Sequence, residues 1–310
     1  MGREVITSAQ NPKIKELLAL QEKSRLRREK GLFVVEGRRE LEHCLRAGFR
    51  VRTVFICPDV FSAESFSPEQ SPLCAFGLRP HPSQTDVWAP PVHGATGGHG
   101  LEQETASGKT AVIEVSRAVY EKVAYREGTE GIIAEVYAKE RRLEDLQLSE
   151  KPLVVVLESV EKPGNLGAVL RSADAAGADA VIVCDPATDL YNPNLIRSSI
   201  GSVFTRQVAV CSSEEAIDWL KAHGIRIYTA QLQDSEWYYD TDMTGGTAIV
   251  MGTESTGLTD IWRKAADAHI RIPMLGQLDS LNVSVSAAIL LFEAVRQRNS
   301  THSPEHSPAT

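Results

Sequence analysis

Two stretches near the end of this sequence concentrate residues able to do chemistry. The first, Thr247-Ala-Ile-Val-Met251-Gly252-Thr-Glu254-Ser-Thr-Gly257-Leu258, reads as a buried strand running into a glycine-bounded polar loop. The second reads as a short strand over 269–272, a loop over 273–281 and a long amphipathic helix from Asn282. Glu254, Ser280, Asn282 and Ser284 stand where the two loops can meet. A carboxylate, two hydroxyls and a carboxamide can together hold and orient a polar ligand. Open α/β sheets bind ligands at the carboxyl ends of their strands, which is where these loops begin.

Such loops need a sheet beneath them. Apolar runs at 153–157, 180–184, 207–210, 225–229, 248–251 and 269–272 alternate with helical segments. Continuous apolar strands of this kind are buried on both faces, so the pattern predicts a mostly parallel sheet with helices on either side. Asn165 falls near the start of a helix closed by Gly177. The last helix carries Val285, Ala288, Ile289, Phe292 and Val295 on one face, expected to pack on the sheet. No GxGxxG and no GxxxxGK[ST] occurs, which disfavours a dinucleotide-binding domain and nucleoside triphosphate hydrolysis.

The N-terminal half is a second α/β region. A basic amphipathic helix is expected over 11–30, with Ile14, Leu17, Leu18 and Gln21 on one face and Pro12 in its first turn. A strand over 32–36, a helix over 38–47 ended by Gly48, and a strand over 51–57 follow. Strands are expected again at 111–115 and 131–136, with Ser116 capping a helix through Ala124. Residues 139–150 read as a charged linker. These boundaries give an N-terminal domain over 1–150, a second over 151–298 and a polar tail over 299–310.

Between the strands lies 61–108, with six prolines, six glycines and no sustained periodicity. That composition predicts a disordered insert, since it offers too little apolar surface to offset the entropy of ordering. His81, His93 and His99 in it lack metal-ligand spacing, and no metal is expected. Cys44, Cys57, Cys74, Cys184 and Cys211 form no CxxC pair and read as reduced thiols. No apolar run is long enough to span a membrane and no apolar signal region opens the chain, so the expected location is cytoplasmic.

The whole chain carries a net charge of −8, yet residues 1–60 hold 13 Lys and Arg against 8 Asp and Glu. A basic module on an acidic body is what a nucleic-acid contact through one end would require. Arg25, Arg27, Arg28 and Lys30 cluster at the end of the first helix. They read either as a solvated helix face or as a surface contacting RNA phosphates.

The stretches GTESTGL from Gly252, Ile272-Pro-Met and SLNVSVSAA from Ser280 resemble the second and third motifs of SpoU-type RNA ribose methyltransferases of the knotted SPOUT class. The family's first motif has its counterpart in Asn165-Leu-Gly167-Ala168-Val-Leu-Arg171-Ser-Ala173. The resemblance covers roughly 151–298 and implies a SPOUT domain with a trefoil knot. It also implies an N-terminal domain folded like ribosomal protein L30e that binds substrate RNA. Methyl transfer from S-adenosyl-L-methionine to a ribose 2′-hydroxyl, in ribosomal RNA, is the implied activity, with pairing of two catalytic domains as a homodimer. The resemblance places the cofactor against Met251, Gly252, Ile272, Leu281 and Asn282, and the chemistry on Asn165, Arg171, Glu254 and Asn282. Glycine at 252 suits a backbone that a ligand approaches closely. Arg171 reads as base or as stabiliser of a developing alkoxide; a guanidinium stays protonated, which favours the second. Asn165 reads as an orienting group or a helix cap, as do Ser280 and Asn282. A transfer-RNA substrate, a catalytically silent RNA-binding relative and a small-molecule nucleotide enzyme are the rival readings; the intact motifs and the basic arm disfavour the last two.

Overall fold

The structure, a computed structural model, describes residues 3–61, 72–76, 110–125, 130–253 and 255–300. The chain forms two compact units, 1–138 and 139–310.

In the first unit the elements are β1 (Glu4–Ile6), α1 (Pro12–Glu22), α2 (Ser24–Lys30), β2 (Leu32–Glu36), α3 (Arg38–Arg46), β3 (Val51–Ile56), β4 (Ala111–Val115), α4 (Arg117–Val123) and β5 (Ile132–Tyr137). They build a five-stranded mixed sheet in the order β1-β4-β3-β5-β2, with β5 antiparallel to both neighbours. Ile14, Leu17 and Leu20 of α1 and Val119, Tyr120 and Val123 of α4 pack with Val34, Phe55, Ile113 and Ile133 of the sheet.

The single helix expected over 11–30 is two helices. Asn11 caps α1 through Lys13 N–H, and Pro12 sits in its first turn. Lys23 then adopts an extended conformation and α1 ends. The reason is Arg27, which turns inward to donate to the carbonyls of Leu20 (2.6 Å) and Gln21 (2.9 Å) at the helix's end. Helix C-termini leave such carbonyls without intrahelical partners, and a buried cation there satisfies both the bonds and the dipole. Most of 61–108 lies outside the described residues. Pro72–Phe76 within it form a 3-10 turn whose Leu73 is fully buried.

In the second unit come β6 (Leu153–Glu158), α5 (Pro163–Ala175), β7 (Ala180–Cys184), α6 (Pro193–Ser198), α7 (Ser202–Thr205), β8 (Gln207–Cys211) and α8 (Ser213–Ala222). Then follow β9 (Arg226–Ala230), β10 (Glu236–Trp237), β11 (Thr247–Met251), α9 (Asp260–Ala265), β12 (Ala268–Arg271) and α10 (Val283–Ser300). All pairings in this seven-stranded sheet are parallel, in the order β10-β12-β9-β11-β6-β7-β8. Every residue of β6, β7 and β11 is buried, as their unbroken apolar runs predict. Val154, Val156, Ile182 and Val250 pack against Ala216, Ile217 and Leu220 of α8 and Trp262 of α9. On the other face α5 and α10 lie side by side over β6, β7 and β11. The stretch 139–150, expected as a linker, packs on this unit through Leu143, Leu146 and Leu148.

The face of α10 that meets the core is Val283, Ala287, Leu290, Leu291 and Ala294, not the one expected from the sequence. Val285 and Phe292 point outward, each 47% exposed. The helix is apolar on two sides, so periodicity alone could not say which side faces in. Among the described residues no helix is long and apolar enough to cross a membrane.

Candidate active site

The chain after β11 doubles back within a few residues. Gly257 donates its N–H to Thr253 O (3.1 Å), and Thr256 N–H bonds Thr253 Oγ1 (3.0 Å). Gly257 takes φ +68°, which favours glycine. A Cβ at Gly252 would run into the carbonyl of Gly257 and the amide of Leu258. Glycine at 252 is therefore required by the loop's own backbone, a reason that the sequence reading did not include. The start of α9 is anchored from below. Glu158, buried at the end of β6, accepts from Thr259 N (2.8 Å), Thr259 Oγ1 (2.6 Å) and Ser213 Oγ (3.3 Å).

These loops enclose a cavity of about 310 Å³ at the carboxyl ends of β9, β11 and β12. Of the residues that the family resemblance sets against the cofactor, Met251, Gly252, Ile272 and Leu281 line it and Asn282 does not; Ser280 lines it as well. Leu258, Ile270, Val283 and Leu290 add apolar wall, while Gln231, Gln233, Arg263 and Asp279 add polar groups. The side-chain oxygen of Gln231 and the Nε of Arg263 are buried with no hydrogen-bond partner among the described residues. An apolar cleft of this size with a few unsatisfied polar groups fits a ligand that is part aromatic and part polar. The sequence reading missed Gln231, Gln233 and Arg263. The signal for the two glutamines was available: they directly follow β9, at a strand's carboxyl end.

The first motif joins the third through one contact. Asn282 Nδ2 donates to Asn165 Oδ1 (3.2 Å), bridging α5 and the start of α10. Asn282 Oδ1 also accepts from Ser284 N (3.0 Å) and Ser284 Oγ (2.6 Å), so Asn282 caps α10 while reaching across. Asn165 is not a cap: Lys162 holds that position and Asn165 is the third residue of α5. Ser280 does not cap either; it donates to Asp279. A Cβ at Gly167 would strike the side chain of Ser198, so the motif's glycine sets the close packing of α5 on α6. Arg171 lies about 9 Å further along α5 than Asn165, at 1.5 Å per residue. It is exposed and makes no hydrogen bond or ion pair among the described residues. Neither Arg171, Asn165 nor Asn282 lines the cavity wall. Glu254 lies outside the described residues.

The four cations expected to meet RNA divide. Arg27 is buried and bound to main-chain carbonyls, which removes it from any RNA surface. Arg25 pairs with Glu29 and Lys30 with Glu16, both at 2.6 Å. Arg28 is exposed and unpaired among the described residues.

The sequence model of the SpoU rRNA Methylase family matches residues 152–292, and that of the MRM3-like substrate binding domain matches 11–75. A 23S rRNA (uridine(2479)-2′-O)-methyltransferase of Streptomyces viridochromogenes is 37% identical over 174 residues, 54% of this chain and 60% of that protein. The 23S rRNA (guanosine-2′-O-)-methyltransferase RlmB of Pseudomonas putida is 37% identical over 183 residues, 56% of this chain and 74% of that protein. The chain belongs to the SpoU rRNA methylase family. The crystal structure of an AdoMet-bound rRNA methyltransferase from Sinorhizobium meliloti superposes with a TM-score of 0.76 at 28% identity, over 94% of this chain and 97% of that one. SpoU family members use S-adenosyl-L-methionine, and the mixed apolar and polar lining of the cavity suits that cofactor.

Proposed function

We propose that this protein methylates a ribose 2′-hydroxyl of ribosomal RNA, using S-adenosyl-L-methionine. The observation that carries the reading is the junction of three motifs. The loops at Gly252 and Leu281 wall one cavity, and Asn282 ties them to Asn165 of α5. The adenosine lies between the apolar wall and the main chain of Gly252, Ile272 and Leu281. Gln231 and Arg263 meet its polar parts. When bound, S-adenosyl-L-methionine supplies a methyl group made electrophilic by its sulfonium.

The chain's own residues do the rest. The Asn165–Asn282 bond fixes α5 against α10, and fixed geometry between a hydroxyl and its target can remove much of a barrier. Arg171, whose guanidinium has no partner among the described residues, stabilises the charge that grows on the ribose oxygen, or clamps the neighbouring phosphate. It stays protonated throughout, so the hydroxyl proton leaves to solvent rather than to Arg171 as the oxygen–methyl bond forms and the sulfonium–methyl bond breaks. Glu254, beside this junction in sequence, completes the set as a holder of Asn165, Arg171 or the ligand.

The catalytic unit pairs with a second copy through α10. Val285 and Phe292, seven residues apart and so on one helix face, support this, since they are large apolar groups left exposed. The N-terminal unit carries the RNA, and the protein works in the cytoplasm. Incubation of the full chain with labelled S-adenosyl-L-methionine and unmodified 23S rRNA tests the reading. Label confined to a ribose is the expected result. Label on a base, or transfer to transfer RNA in preference, would overturn it.

A further inference from the structure

The N-terminal unit holds a concavity of its own, about 230 Å³, between α1 and the sheet. Lys13 and Glu16 of α1, Arg52, Thr53 and Phe55 of β3 and Glu135 of β5 line it. Val51 opposes Val136 and Thr53 opposes Glu135, so Arg52 is the extra residue of a β-bulge. Bulges re-aim a side chain at the expense of ladder bonds. Here the guanidinium stands 3.1 Å from Glu16 and 3.7 Å from Glu135.

The two carboxylates are not equivalent. Glu16 receives Lys30 and Arg52 within hydrogen-bond range, and Lys30 above all holds its carboxyl below the usual value. Glu135 is only 3% exposed, and burial pushes its carboxyl up. A carboxylate can accept about four hydrogen bonds. The Thr53 hydroxyl supplies one, and 3.7 Å to Arg52 is too long for another. Scaffolds seldom gain stability from such a group, since an apolar residue of similar volume does as well or better. A buried acceptor with few partners among the described residues, beside a donor and over the apolar floor of Phe55, is a recognition arrangement.

We propose that this concavity receives an unstacked guanine base of the RNA, with Glu135 accepting from its N1–H and N2 amino group and Arg52 donating to its O6. Guanine alone among the four bases presents an acceptor followed by two adjacent donors along one edge. Uracil would set carbonyls against the carboxylate, and adenine offers it a single donor group. Single-stranded bases are read in this way, by edge contacts in a side-chain pocket. Tyr137, two residues along β5 with Arg50 over its ring at 5.1 Å, adds an aromatic and a cation for the adjoining nucleotide. The inference rests on the reading that the N-terminal unit carries RNA.

The test is fluorescence anisotropy of the full chain with a short uridine-rich RNA containing one guanosine, inosine or adenosine. Inosine lacks only the N2 amino group. The guanosine strand should bind at least about fivefold tighter than either of the others, the lower end for a paired base contact. Glu135→Gln and, independently, Arg52→Gln should abolish that preference without changing the melting transition enough to unfold the protein. Equal binding of the three strands, unaltered by either variant, would leave RNA binding standing and overturn the base pocket. Binding of none of them would overturn the pocket together with the RNA reading of this unit.

Discussion

The two concavities are made from different materials. That of the C-terminal unit is walled by main chain and mostly uncharged side chains at three strand ends, held by a glycine turn and a cap. That of the N-terminal unit is walled by charged side chains brought together from α1, β3 and β5. A site made of backbone needs particular residues at fixed spacing, because only they permit the turn. A site made of charges needs only that long side chains reach one another, and many spacings allow that. The first kind is sensitive to added atoms, the second to altered charge.

Arg171 gives the largest expected effect. Arg171→Ala should lower single-turnover methyl transfer by about a hundredfold or more, as loss of one charge-stabilising donor does elsewhere. Calorimetric binding of S-adenosyl-L-methionine should stay within about twofold, since Arg171 does not line the cavity. Loss of cofactor binding would mean that this unit's site also depends on charge, and the contrast would fail. Next comes Gly252→Ala. Its methyl has nowhere to go but into Gly257 and Leu258. Overpacking of that kind costs about 1–3 kcal/mol, and it should appear both in thermal unfolding and in weaker cofactor binding.

Arg27→Gln probes what the basic arm is for. Losing the bonds to Leu20 and Gln21 leaves buried carbonyls at the end of α1, at about 1–3 kcal/mol. Denaturant unfolding of the N-terminal unit should shift accordingly, while the salt dependence of RNA binding stays as it is.

Glu135→Gln tests the charged concavity without adding an atom. Burial raises the Glu135 carboxyl, so the folded protein holds its proton more tightly than the unfolded chain. Its charge therefore costs nothing below the ordinary carboxylate range of about 4, and the cost accrues as pH rises through that range toward the raised folded value. The surrounding charges are Lys13, Glu16, Lys30 and Arg52; Lys30 above all holds the Glu16 carboxyl low, so it ionises ahead of Glu135 as pH rises. The variant should melt close to wild type at pH 4 and above it at pH 7. A variant less stable than wild type at pH 7 would make the Arg52–Glu135 pair a net structural bond.

What the sequence made legible follows the same division. The strands of the parallel sheet were readable because burial on both faces leaves unbroken apolar runs, as in β6 and β11. Met251, Gly252, Ile272 and Leu281, singled out by the family resemblance, share one cavity because they stand at strand ends and in the loops that follow them, whereas Asn282, singled out with them, is not part of its lining. The break at Lys23 was not, because it depends on one arginine turning back to carbonyls six and seven residues earlier. Nor was the inward face of α10, since that helix has two apolar sides and only the neighbouring α5 decides between them. β1 and β10 are too short, at three and two residues, to carry a period at all.

The smallest effect is expected at Arg28, and it separates the two roles that the basic arm could play. A cation already committed to a protein carboxylate must give up that partner to meet a phosphate, so Arg25 and Lys30 start at a disadvantage. Arg28 has no such partner among the described residues and meets phosphate at no cost beyond its own ordering. Arg28→Gln should therefore reduce the slope of log affinity against log salt by up to about 0.7 to 0.9, the value for one phosphate contact. Cofactor binding and the melting transition should not move, because the side chain touches neither. Steering from a distance would also answer to salt, but it would act on the association rate and leave dissociation unchanged. A slope and a dissociation rate both equal to wild type would make Arg28 a solvated residue, and would leave the concavity around Arg52 and Glu135 as the place where this unit grips RNA.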